Sequence, residues 1–385
     1  MSTRLIDCLA ATKALSEIFS DRHILQAMLN FETALARAEE QVGAIPVGAA
    51  SAIAHAAAAQ DFDIDELVKA SLRAGTPAIP MVRMLRAAVH IQNAEAASIV
   101  HWGATSQDVV DTVLIELLLE CRQVLEKDHR RLSLAVQRIS EEHANTVMLG
   151  RTLLQPAQPI TFGLKAAGWL AALRRGWSRV ESRFTESAYL QFGGPSGTLA
   201  ALGDRGIAVS EALAAELNLK CPDAPWHAHR DRLAALMAAL SIYTGSLAKM
   251  ALDIALLMQQ EVGEAAEPGG NGRGGSSSMP HKRNPTACML AIAAAKRAPG
   301  LLSNFLAGML QEHERGVGGW QSEWTTVQGI VQAAGVALES MVEVAEGLTV
   351  DAARMRSNFE TASQEPSDFL GSAEIFRRRL LQKKD

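Results

Sequence analysis

Between Gly263 and Pro285 the chain reads GEAAEPGGNGRGGSSSMPHKRNP, its densest set of groups able to do chemistry. Glycines at 269, 270, 272, 274 and 275 free the backbone for conformations that other residues avoid. Ser276, Ser277 and Ser278 follow, then Met-Pro, then His281, Lys282, Arg283 and Asn284. A glycine segment that brings hydroxyls, a cation and an amide together suits a lid that closes over an anionic substrate and moves a proton. A flexible linker is the plain alternative for a Gly/Ser-rich tract, and the ordered residues after Gly275 speak against it. The stretch is not a nucleotide-phosphate loop, because it lacks GxxxxGK(S/T).

Three further stretches hold polar groups where helices begin or break. His101-Trp102-Gly103-Ala104-Thr105-Ser106-Gln107-Asp108 reads as a loop opening a helix, with Ser106 as N-cap and Asp108 inside the first turn. The Thr105 and Ser106 hydroxyls, with helix-terminal N–H groups, suit a carboxylate. Gly150-Arg151-Thr152-Leu153-Leu154-Gln155-Pro156-Ala157 puts Thr152 and Gln155 at a break between helices, where they either reach a substrate or satisfy buried backbone. Charges cluster in Gln311-Glu312-His313-Glu314-Arg315 and in Trp226-His227-Ala228-His229-Arg230-Asp231-Arg232. His227 and His229, two apart, are wrongly spaced to share a metal on a helix. Arg230 and Arg232 read equally well as paired surface charges. Phe192 to Thr198 reads as a tight loop between helices, and His143 as a solvated helical residue.

Elements must hold these loops. Alanine and leucine dominate a chain that is 48% hydrophobic but only 5% aromatic, so helix is the expected state. After Asp21, the residues Ile24, Met28, Phe31, Leu35 and Ala38 recur at helical spacing until Gly43 and Pro46. Short helices are expected over 63–73 and from Pro80. Neither glycine nor proline occurs between Gly103 and Gly150, and an apolar stripe from Leu114 to Ile139 predicts one helix over 107–143, roughly 50 Å at about 1.5 Å per residue. Long helices are also expected over 161–189, 229–262, 285–311 and 320–348. Helices of this length need partners along their whole extent, so the predicted fold is an all-α long-helix bundle that also packs against other subunits. No alternating strand pattern stands out. The expected division is an N-terminal helical domain over 1–100, a central bundle over 101–350 carrying the site motifs, and a short C-terminal helical part over 351–385.

A net charge of −5 argues against a general nucleic-acid binder. Cys8, Cys121, Cys221 and Cys288 lie far apart with no CxxC pair, which fits a reducing cytoplasm and argues against a zinc site. No stretch of about 18 uncharged apolar residues exists, and the N-terminal apolar run is too short for a signal peptide, so a cytoplasmic protein that does not meet a membrane is expected. With no strand-linked GxGxxG and no metal cluster, no cofactor is expected.

From Gly275 to Pro285 the sequence resembles the signature G-S-S-x-M-P-x-K-x-N-P of the fumarase/aspartase superfamily, whose members include argininosuccinate and adenylosuccinate lyases and bacterial carboxymuconate cycloisomerases. HWGATSQD and GRTLLQPA resemble its H-x-G-x-T-S-x-D and G-R-T-H-x-Q-P-A stretches, and the resemblance covers most of residues 20–356. It implies the superfamily's long-helix bundle with a shortened C-terminal domain, and a homotetramer whose sites are shared among three subunits. It also implies a small polycarboxylate substrate. Ser276 matches the superfamily's catalytic serine, and either Ser276 or Lys282 moves the proton. Lys282, Asn284 and Arg315 would bind carboxylates, helped by His101, Thr105, Ser106, Thr152 and Gln155.

The chain departs from the lyases at Leu153, where they carry the histidine usually given the general-acid role. Amide and hydroxide ions leave carbon poorly without an acid. A carboxylate, with a reference pKa of about 4, is already a stable anion at neutral pH. Chemistry in which a carboxylate adds or leaves therefore needs no such histidine. QFGGPSGTLAALG, PWHAHRDR and EHERGVGGWQSEW resemble the cycloisomerase branch, which implies lactonisation of 3-carboxy-cis,cis-muconate. Alternatives are a sulfomuconate cycloisomerase, an amine-releasing lyase and a non-catalytic helical scaffold.

Overall fold

Helices α1 (Lys13–Ile18), α2 (Asp21–Gln41), α3 (Ala49–Ala56), α4 (Ile64–Ala74), α5 (Ala78–Gln92) and α6 (Ala94–Ile99) precede the first long helix, α7 (Ser106–Glu142). Strands β1 (Val147–Thr152) and β2 (Gln155–Thr161) lead to α8 (Phe162–Ser187). Then come α9 (Gly206–Glu216), α10 (Asp231–Leu257), β3 (Ala265–Ala266), α11 (Thr286–Ala307), α12 (Gly319–Gly347), β4 (Thr349–Val350), α13 (Ala352–Ala362) and α14 (Ala373–Gln382). This is a computed structural model, and it describes residues 5–270, 272–279, 281–363 and 365–382.

The five long helices that the spacing predicts are α7, α8, α10, α11 and α12, and they form one bundle. On α7, Val109, Val113, Leu117, Cys121, Leu125, Leu132, Val136 and Ile139 are buried at helical intervals, and the helix packs against α8, α12 and α2. Helix α10 is long and apolar enough to cross a membrane by length and composition alone. Its contacts account for that apolarity: α8, α11 and α12 all pack against it.

Helices α7, α10 and α12 begin at the same end, around one buried cation. Arg230, just before α10, is 2% exposed. Its Nη1 and Nη2 donate to Asp111 of α7 at 2.7 and 3.0 Å, and its Nη2 donates to Glu323 of α12 at 2.6 Å. Trp320 Nε1 and Gln107 Nε2 also donate to Asp111, and Gln311 Nε2 donates to Glu323. The reading of Arg230 as a surface charge therefore fails, since its partners come from two distant helices. Arg232 stacks on the Tyr189 ring, 4.3 Å from its centroid. Near the other end of the bundle, Arg131 of α7 donates to Glu346 of α12 at 3.0 and 2.8 Å.

The sequence pattern did not announce the hairpin. Its two-residue turn is Leu153-Leu154, with φ of 52° and 65°, where Asn-Gly would be the usual signal. The ladder shifts register at Gly150, where a Cβ would lie 2.4 Å from the Gln158 carbonyl oxygen. Pro156 and Pro159 further break the alternation that marks a strand. At the C-terminal side, α13 packs on β1 and α14 on α8, with Arg377 Nη1 donating to the Ser140 carbonyl.

Removing Arg230 strands two buried carboxylates. Arg230→Ala is expected to lose about 3–5 kcal/mol of stability, read as a lower midpoint in chemical denaturation. A loss below about 0.5 kcal/mol would mean that this network does not hold the three helix starts together.

Candidate active site

At the end where α7 begins, Thr105 is the N-cap, one residue before the expected Ser106. Asp108, read from sequence as a first-turn helix residue, does more than favour the helix dipole. Its buried carboxylate accepts from Thr105 N at 2.9 Å, Gly193 N at 3.1 Å, Gly194 N at 2.9 Å and His227 Nε2 at 2.6 Å. Four donors from three loops give an ionised carboxylate the partners that burial demands. Gly194 has φ of 70°, and a Cβ there would meet the Gly103 carbonyl at 2.7 Å, so the 193–197 loop and the 101–104 turn touch backbone to backbone.

Arg315 lies over this junction. Its Nη1 donates to Thr105 Oγ1 at 2.7 Å, its Nη2 to Ser106 Oγ at 3.2 Å and its Nε to Gln107 Oε1 at 3.2 Å. The hydroxyls expected to hold a carboxylate directly thus hold a guanidinium fork at the start of α7. A fixed cation at a helix N-terminus is suited to an anion.

His101, four residues before Thr105, takes φ of 64°. Its Nδ1 lies 2.7 Å from Glu32 Oε1, on a carboxyl group with no exposed surface. Burial would lower the imidazole pKa. The Glu32 charge and hydrogen bond, with Asp108 behind them, outweigh burial and the opposing charge of Arg86, and raise it above the ordinary value. Glu32 was missed by sequence reading, where it looks like one more charge on a helix.

The other predicted residues lie at the opposite end of the bundle. Thr152 and Gln155 are exposed and flank the hairpin turn. The hairpin is anchored by Arg151, which donates to the fully buried Glu264 at 2.9 and 2.6 Å. In the glycine loop, Glu267 accepts from Ala287 N and Cys288 N at 3.0 and 2.7 Å, capping α11. Arg273 pairs with Glu343 of α12. Asn284 N donates to Gly274 O at 2.8 Å and its Nδ2 to Gly275 O at 3.4 Å, folding the loop back on itself. Ser276 Oγ accepts from Met279 N at 3.2 Å and Ser278 N at 3.4 Å, and Lys282 is exposed. Asn271 and Pro280 of this loop lie outside the described residues.

One chain therefore brings Thr105, Ser106 and Arg315 together, with His101 in the adjoining turn. It keeps Thr152, Gln155, Ser276, Lys282 and Asn284 away from them. The 37 residues of α7 lie between Thr105 and the hairpin, about 55 Å at roughly 1.5 Å per residue. His143 is not a solvated helical residue. It ends α7 half-buried, with Nδ1 3.1 Å from Thr146 Oγ1 and its ring against Phe162, and burial lowers its pKa.

A bundle of long α-helices with polar clusters at both ends is the architecture of the fumarase/aspartase enzymes. The chain belongs to the lyase family of that superfamily, which matches residues 8–300. It is 48% identical over 363 residues to the 3-carboxy-cis,cis-muconate cycloisomerase of Bradyrhizobium diazoefficiens, covering 94% of this chain and 80% of that one. The crystal structure of the 3-carboxy-cis,cis-muconate lactonizing enzyme from Pseudomonas putida matches with a TM-score of 0.89 at 46% identity, over 93% of this chain and 80% of that one. A fumarate lyase from a Mesorhizobium strain matches with a TM-score of 0.86 at 30% identity, over 96% and 98%.

Behind Glu32 on α2 stands Glu39. Burial, and then the Glu32 charge, push its carboxyl from 4.5 up to about 9. The native state thus keeps a proton that the unfolded chain releases above 4.5. Stability from this group is full below that value and falls as pH rises toward 9, by at most about 1.4 kcal/mol per pH unit. Glu39→Gln is expected to gain stability over the parent between pH 5 and pH 8. Denaturation midpoints at the two pH values check this, and a constant difference between the proteins would rule out the retained proton.

Proposed function

We propose that this protein is a cytoplasmic cycloisomerase that lactonises 3-carboxy-cis,cis-muconate to 4-carboxymuconolactone, a step in protocatechuate breakdown. Its relatives support the reaction class, and the free state of all four cysteines is in keeping with the compartment. Leu153 carries the choice of chemistry: the hairpin turn presents two leucines, 96% and 76% exposed in the single chain, and no proton donor. An enzyme that expels an amine or hydroxide needs an acid there, and one that adds a carboxylate does not.

In this reaction a substrate carboxylate attacks a carbon of the conjugated diene and forms a C–O bond. The displaced π electrons move to the carbon beside another carboxylate as an enediolate, and that carbon takes one proton. The enzyme must neutralise a tricarboxylate, fold the diene and deliver the proton. Arg315, held by Thr105 and Ser106, binds one carboxylate beside His101. Lys282 and Asn284 bind another and stabilise the enediolate, with Thr152 and Gln155 lining the site; fixed charges of this kind are commonly a large part of catalysis. Ser276 or Lys282 delivers the proton. The two N–H groups aimed at Ser276 Oγ favour its ionised form, which helps it release a proton.

Because α7 keeps the two sets of residues apart, the complete site needs other copies of the chain, in a homotetramer. Light scattering is expected to give the tetramer mass, and a stable, active monomer would overturn the shared site. Mixed with 3-carboxy-cis,cis-muconate, the protein is expected to remove the ultraviolet absorbance of the diene and form the lactone seen by NMR. No turnover there, with turnover of 3-sulfomuconate or adenylosuccinate, would replace the proposed substrate. Ser276→Ala or Lys282→Ala is expected to lower kcat by at least about a hundredfold, and Ser278→Ala by less than about threefold. Equal rates for all three would remove the role of this loop.

A further inference from the structure

We propose that Glu32 is a positioning residue that presents the His101 imidazolium to the substrate as a second fixed cation near Arg315. The proposal rests on the reading of His101 as a substrate-binding residue. It starts from a carboxylate that is otherwise hard to explain. Glu32 has no exposed side-chain surface, its Oε2 has no hydrogen-bond partner among the described residues, and its Oε1 meets only His101 Nδ1. A buried carboxylate is costly unless a cation accompanies it, and the imidazole bonded to it answers that need.

The His101 turn is held from several sides. Arg86 of α5 donates through Nε and Nη2 to the Val100 carbonyl at 3.3 and 2.9 Å. A Cβ at Gly103 would collide with the Leu202 side chain at 2.6 Å, so the short helical turn Ala200–Arg205 closes on this one. A histidine at positive φ is strained backbone, and these contacts keep it there. With Nδ1 bound to Glu32, the ring has one other nitrogen. Nε2 has no hydrogen bond among the described residues, and the side chain keeps 15% exposure.

The charges around the ring favour a cation. Glu32 and Asp108, from α2 and α7, favour protonation, whereas burial and Arg86 of α5 oppose it, and the net effect raises the imidazole pKa above its ordinary value. Glu39, the other acid on that face of α2, keeps its proton at neutral pH and adds no charge. Nε2–H is then a charged donor for a substrate carboxylate, and it is lost as pH rises through the His101 titration. Substrate binding weakens over the same range.

Glu32→Gln retains size and a hydrogen-bonding oxygen but removes the charge. It is expected to shift the His101 NMR titration to lower pH, and to raise KM about tenfold near neutral pH, the order of one charge-assisted hydrogen bond, with kcat within about twofold. The rise of KM with pH is expected to move down with the titration. Glu32→Asp restores the charge and is expected to recover KM to within about threefold; it also serves where the amide variant fails to fold, through its own His101 titration. An unchanged His101 titration overturns the proposal. A shifted titration with unchanged KM and unchanged pH profile also overturns it, because His101 would then not meet the substrate. If the parent does not turn over 3-carboxymuconate, calorimetry with tricarballylate as probe replaces KM. A tenfold weaker binding by Glu32→Gln then supports the proposal independently of the reaction, and equal binding overturns it.

Discussion

The arrangement depends on a guanidinium that water does not reach. Arg230 sits between Asp111 and Glu323, and the cost of burying three charges is offset only when every donor and acceptor is aligned. Asp111 is in the second turn of α7, Glu323 in the second turn of α12, and Arg230 immediately precedes α10. Alignment therefore sets the axial register of three helices at once. Helices are stiff, so a register set at one end carries to the other, where Arg131 and Glu346 join α7 to α12 again. The loops at both ends inherit positions from this one contact, including the Asp108 junction one turn earlier on α7.

The length of α7 then becomes a functional constraint. A helix of 37 residues cannot bring its two ends to one substrate. If the arginine cluster at one end and the serine loop at the other act on the same molecule, they come from different copies. The outer faces of the bundle fit that reading. Leu134 on α7, Ile242 and Leu252 on α10, and Met289 and Leu306 on α11 remain exposed in the single chain. Large apolar side chains on long helices are the surface that bundle partners cover.

Much of this was legible in the sequence, for physical reasons that differ by element. The absence of glycine and proline from 104 to 149, together with the apolar stripe at helical spacing from Leu114 to Ile139, marks one long helix, so α7 is read within a residue at each end. The hairpin was not legible. Leucines at positive φ carry no turn signal, and two prolines hide the alternation of β2. Among site residues, Thr105, Ser106 and Arg315 were read as one class of group and do meet, but as a guanidinium held by hydroxyls. Glu32 and the full reach of Asp108 were hidden, because their partners are 69 and 85 to 119 residues away along the chain. A pairing made only by tertiary packing leaves no local pattern. A buried acid can be suspected from sequence only by its place on an apolar helix face, and Glu32 follows Phe31 on such a face.

The hairpin tip connects fold to chemistry. Leucine at positive φ is unfavourable by roughly 1–2 kcal/mol per residue, and the turn has two in succession. Burial in the single chain does not compensate, since both side chains face solvent. A strained apolar turn projected from a hairpin that Arg151 and Glu264 hold in place gains most when a partner covers it. If the tip enters a site shared between copies, as proposed, two leucines there exclude water and offer no proton. Both properties suit an intramolecular carboxylate addition. Water there would compete for the cations that bind the carboxylates, and a carboxylate that is already ionised at neutral pH needs no acid beside it to act as the nucleophile.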